Sequence, residues 1–163
     1  MLILIALYVL IGNARSIQEN PIIPGAVIAV NMIVPVIGGI LFGWRVGLAV
    51  GLFGTLFNAF SPAGNEFELH AVIPHGVMGF TAGYLRDRLP TIFAACSIIV
   101  GHFLNIATFL LFNLITFSVI NSVQFWYGLA FESLAGIITI VVSIALYRVV
   151  TQYREHIYDT IEQ

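Results

Sequence analysis

Between Arg88 and Arg148 the chain carries a single charged side chain, Glu132. A stretch this long and this poor in charge has no surface to offer water, whereas a surface that faces lipid needs no charge. A helix crosses the hydrocarbon core with about 20 apolar residues at roughly 1.5 Å each. That ruler predicts spans at 1–14, 22–43, 46–60, 69–85, 90–117 and 124–148, the third and fourth being short. The breaks carry turn chemistry: Asn20-Pro21, Gly43-Trp44-Arg45, the run Ser61 to Asn65, Arg86 to Pro90, and Asn121-Ser122. Composition agrees, since 60% of the 163 residues are hydrophobic and only 9% are charged, against about 25% charged in soluble domains. The expected fold class is all-α: a polytopic membrane protein, a bundle of six transmembrane helices. It forms one domain over residues 1–148, with a polar helical tail at 149–163 on the cytoplasmic side.

Several classes drop out at once. The net charge of −2 gives no reason to expect nucleic acid. The lone Cys96, in an apolar run, excludes a disulfide framework and any cysteine-based zinc or iron–sulfur centre. No nucleotide loop, nucleophile–base pair or metal-ligand cluster stands in the sequence, so no enzyme activity and no cofactor is expected. The opening MLILIALYVLIGNARS has no basic residue ahead of its apolar run and is followed by further membrane-length segments. It reads as the first span rather than a cleaved signal.

The arginines set the orientation. With six spans and the N-terminus inside, Arg45, Arg86, Arg88, Arg148 and Arg154 fall on the cytoplasmic side and only Arg15 falls outside. That is a positive-inside bias with both termini cytoplasmic. The outer loops are then 15–21, 61–68 and 118–123, and they hold Glu19, Glu66 and Glu68. Glycines recur at four-residue intervals, at Gly39, Gly43, Gly47 and Gly51 across a turn and at Gly79 and Gly83 within one span. Small residues at that spacing let helices approach closely in lipid, and packing within the chain is the expected use.

Polar groups inside a bilayer are costly, so their depth is informative. Counting about 1.5 Å per residue from the span ends puts Asn31, Asn58, His75, His102 and Glu132 roughly 9–13 Å below the outer face. Asn105 follows His102 by three positions and shares its helix face. Five spans thus place polar side chains in one layer of the outer leaflet. Glu132 is the only carboxylate deep within a span, and it is expected to bond His75, His102 or a ligand. The candidate binding residues are Asn58, Asn65, His75, His102, Asn105, Trp126 and Glu132, with the loop from Ser61 to Glu68 as a lid. Asparagine, histidine and glutamate beside Phe125, Trp126 and Tyr127 suit a small, flat, partly polar molecule.

The run from Pro24 to Leu85 resembles the core of a substrate-capture (S) component of energy-coupling factor transporters. The resemblance rests on Gly43 to Gly47, Gly51 to Gly54, the polar loop Ser61 to Glu68, and Pro74-His75-Gly76 with Gly79 and Gly83. The segment FWYGLAFESLAGIITIVVSIAL, with Gly136 in its middle, resembles the last span of that family. The resemblance implies a membrane subunit of the prokaryotic plasma membrane, multi-pass and bathed in lipid. Such a subunit captures a vitamin-like molecule from outside and docks on a coupling membrane protein driven by two ATPases. It departs from the family at the first span, where the alanine stripe reads Ala6, Leu10, Ala14. Two other readings stay open at this point. One is a non-transporting membrane assembly protein of similar fold. The other is a haem- or pigment-binding subunit with His75 and His102 as axial ligands.

Overall fold

A computed structural model describes residues 1–14, 28–84 and 90–161. Among them lie eight α-helices: α1 (Leu2–Asn13), α2 (Ile33–Phe42), α3 (Trp44–Ala59), α4 (Glu66–His70), α5 (Val72–Tyr84), α6 (Pro90–Leu111), α7 (Phe117–Ile120) and α8 (Val123–Ile161). A 3-10 turn over Val30–Met32 leads into α2. No strand occurs among the described residues. The expected turns at Asn20-Pro21 and Arg86 to Leu89, the outer loop from Arg15, and the side chains of Arg15, Arg86, Arg88 and Arg154 lie outside what is described.

One helix among the described residues is long and apolar enough to cross a bilayer by itself, Val123–Val149 within α8. Leu2–Asn13, Val30–Phe42 and Ala95–Leu111 are apolar but shorter. Two boundaries differ from the sequence expectation. The span expected to reach residue 117 ends at Leu111, because Asn113 turns into the left-handed region (φ 57°) and the Leu114 N–H closes back on the Phe109 carbonyl. Asparagine tolerates that conformation because its short polar side chain bonds locally. The polar tail does not start a new element: α8 continues without a break to Ile161.

Helix α2 is the hub. Its Ile33, Val36 and Ile40, with Met32 of the preceding turn, pack with Met78 of α5, Ile98 of α6 and Ile140 of α8, while Val34 packs with Ile5 and Tyr8 of α1 and Val50 of α3. Helices α2 and α3 meet at Gly43, whose φ of 94° lets the chain reverse with no intervening residue. The closest approach is between α3 and α5. A Cβ on Gly47 would strike the Gly79 carbonyl, and a Cβ on Gly79 would strike that of Gly47. Gly39 of α2 meets the same Gly79 carbonyl, so glycines on either side of the Gly43 turn converge on one spot. Three backbones in such contact fix the relative depth of α2, α3 and α5, and with it the depth of the polar side chains they carry.

Candidate functional site

Tyr8, Asn31, Thr55, Asn58 and His75 are, with Ser97 of α6, the polar residues buried most completely among those described, at 0–2% exposure. Four of them lie in α1, α3 and α5, and Asn31 lies in the 3-10 turn before α2. The Tyr8 hydroxyl is 2.6 Å from His75 Nδ1 and 2.9 Å from Thr55 Oγ1, and His75 Nδ1 is 3.1 Å from the same Thr55 oxygen. Thr55 also donates back to the Gly51 carbonyl at 2.6 Å, a local bond common for a helical threonine. Gly54 leaves room for the Tyr8 ring, since a Cβ there would lie 2.8 Å from Tyr8 Cγ.

One end of this array is closed by α4. Asn65 caps that helix, its Oδ1 accepting the Glu68 N–H at 3.0 Å. The cap turns Glu68 inward, where its Oε1 accepts from Asn31 Nδ2 at 3.1 Å. The side chains of Asn58 and Tyr8 lie near the same carboxyl. Glu68 lies outside the membrane-spanning segments; burial pushes its carboxyl above the usual range, and Asn31, Asn58 and Tyr8 pull it part of the way back. The loop before α4 is tied to α1 through Asn13, whose Nδ2 reaches Ser61 Oγ at 3.0 Å and whose Oδ1 accepts the Ala63 N–H at 3.2 Å. Phe67 meets Phe109 of α6 edge-on at 5.1 Å.

Helix α6 supplies the other side. His102 is buried at 5% exposure and Asn105 half-buried one turn on, and the His102 imidazole is close enough to His75 to act on it electrostatically. Among the described residues, four buried side-chain polar atoms have no hydrogen-bond partner: Glu68 Oε2, His75 Nε2, His102 Nε2 and Asn105 Oδ1. Buried polar atoms are nearly always paired in folded proteins. The four lie on α4, α5 and α6.

Of the residues expected from the sequence, Asn58, His75, His102 and Asn105 belong to this cluster. Asn65 is exposed and acts on it through the cap of α4. Glu132 does not bond either histidine through Nε2, since both of those atoms lack partners; its Oε1 instead accepts the Ala29 N–H at 2.7 Å. That bond fixes the segment leading into the turn that presents Asn31. Trp126 is 43% exposed and packs edge-on against Phe125 at 5.5 Å. Tyr8, Thr55 and Glu68 were missed by depth counting. Glu68 had a signal, because Asn65-Glu66-Phe67-Glu68 is a capping pattern that places the acid at the third helical position.

Glycine-tight helices, a helix of membrane-crossing length and a buried polar cluster define an all-helical protein of membrane type. The family model for the substrate-specific component of ECF transporters matches residues 1–151, and the chain belongs to that family. Its members are membrane proteins that bind a small substrate and partner with an energy-coupling module. No curated protein and no solved structure matches the chain.

Proposed function

We propose that this chain captures a small, vitamin-sized molecule from outside the cell in the cluster beneath α4, for ATP-driven uptake through a separate coupling module. The observation that carries this reading is that four buried polar atoms among the described residues, on α4, α5 and α6, have no hydrogen-bond partner. Family membership supports it independently. Asn58, His75, His102 and Asn105, joined by Glu68, would contact the ligand. Asn65 would set α4 over it, and Glu132 would hold the Asn31 turn in place. Trp126, with Tyr127, suits an aromatic belt at the outer interface and the rim of the entrance. The proposed topology is multi-pass, six spans with both termini in the cytoplasm, resting on the arginine asymmetry.

Docking on the coupling protein is assigned to α1. Leu2, Ala6 and Leu10 recur every fourth residue and are all exposed, so one stripe of this helix is free for another membrane helix. Mass spectrometry of the small molecules extracted from detergent-purified protein tests the capture reading. One dominant compound at near-stoichiometric amount is expected; a preparation that binds no small molecule from a metabolite mixture rejects it.

A further inference from the structure

The open valences of the cluster also say what kind of molecule fits, and this step rests on the capture reading above. Glu68 Oε2 and Asn105 Oδ1 are oxygen acceptors. The state of His75 follows from its other nitrogen. Thr55 has one proton, shared between the Gly51 carbonyl at 2.6 Å and the Tyr8 oxygen at 2.9 Å, so it has none to give His75. Tyr8 has one proton too, and its oxygen faces both the Glu68 carboxyl and His75 Nδ1. With Glu68 ionised, Tyr8 must donate to the carboxylate, because two unprotonated oxygens repel. The 2.6 Å contact between Tyr8 and His75 is then filled by the proton on Nδ1, which leaves His75 Nε2 as a bare acceptor. Three of the four open atoms are acceptors in that state.

Charge points the same way. Arg45 and Arg148 are the arginines whose side chains are described, and neither is near the cluster. Arg45 stacks over Trp44 at the opposite end of α3 from Asn58, 5.2 Å from the ring centroid. Arg148 lies at the far end of the Val123–Val149 segment of α8. The sequence has no lysine. An anionic ligand would meet the Glu68 carboxylate, whereas a cation would supply the countercharge that burial denies it.

We infer that the site takes a small flat molecule presenting hydrogen-bond donors along one edge, neutral or singly cationic, and bearing no carboxylate or phosphate. Amidines and amino-substituted aromatic heterocycles have this character. Glu68 accepts the charge-bearing donor, and His75 Nε2 and Asn105 Oδ1 accept the others.

The test uses three probes of nearly one shape, benzamidine, benzamide and benzoate, titrated into the full-length protein in nanodiscs. Heat of binding and the unfolding temperature are followed together. Benzamidine is expected to bind saturably, benzamide more weakly and benzoate not at all. Glu68→Gln keeps an oxygen for Asn31, so the fold is retained, and it should weaken benzamidine by about tenfold or more while sparing benzamide. Asn105→Leu, which removes one acceptor without touching α4, should weaken both. Benzoate binding as well as benzamidine, or benzamidine failing to bind, overturns the donor assignment. Failure of the capture reading looks different: probe binding that survives both Glu68→Gln and Asn105→Leu lies outside this cluster.

Discussion

A carboxyl group held out of water titrates later than one in the unfolded chain, and Glu68 gives this protein a pH dependence of known sign. Its folded-state pKa is raised chiefly by burial, so the folded state keeps the proton to higher pH than the unfolded state does. Stability is therefore full below the ordinary glutamate value of about 4.3 and falls as pH rises through the raised folded value. Unfolding temperature measured against pH should show this decline in the ligand-free protein, and Glu68→Gln should flatten it. A wild-type slope matched by the variant would assign the titration to another group. At this scale the sequence was partly legible. Asn31, Asn58, His75 and His102 announced themselves because amides and imidazoles in a membrane span need partners. Tyr8 did not, since a phenol is mostly ring and blends into MLILIALYVLIG, and Thr55 is disguised by its bond to Gly51. Glu68 stands beside Glu66 in a polar loop, and only the cap from Asn65 distinguishes the acid that turns inward.

Helix positions were legible from apolar runs, while helix ends were not, because ends depend on single dihedral choices such as the left-handed Asn113. The close α3–α5 contact was foreshadowed by glycine spacing, though not the fact that Gly39 and Gly47 both meet Gly79. Gly79→Ala puts a methyl group against the Gly47 backbone, where no flexible side chain can yield. Overpacking of this kind costs about 1–3 kcal/mol. Thermal unfolding in detergent should show the loss, while Ala82→Gly on the same helix, which adds no atoms, should leave the α3–α5 spacing intact. The short helix α4 is the element that has to move if a ligand enters from outside. It is held by one cap, the Asn13 ties, the Glu68 bonds and the ring contacts of Phe67 with Phe109 and of His70 with Phe112, and none of its residues is fully buried. Segments held in this way open at low cost. Amide exchange across Ser61–His70 should slow on addition of saturating ligand; exchange unchanged by ligand would mean that α4 is not the lid.

The chain as a whole combines a tightly packed half, α2 with α3 and α5, and an open half in which α8 presents Leu134, Ile138, Val142 and Leu146 outward. A soluble protein with such a face would aggregate, and in lipid it is an ordinary surface. The six-span topology predicts that a cysteine at Asn65 reacts with a membrane-impermeant reagent added to intact cells, and that one at Gln163 does not, both in a Cys96→Ala background. Labelling of both positions from the same side would overturn the orientation. Membrane character was the most legible property of the sequence, because it is written in composition. The binding cluster was legible only as a layer, because which polar groups are left unpaired depends on packing between distant helices. That cluster is the centre of the account, and its most direct test is ligand retention. Wild-type protein and the variant with His102→Phe and Asn105→Leu are purified in parallel, checked for equal unfolding behaviour, and extracted for mass spectrometry. The account predicts a small molecule retained by the wild type and lost from the variant; the same molecule retained by both in equal amount would contradict it.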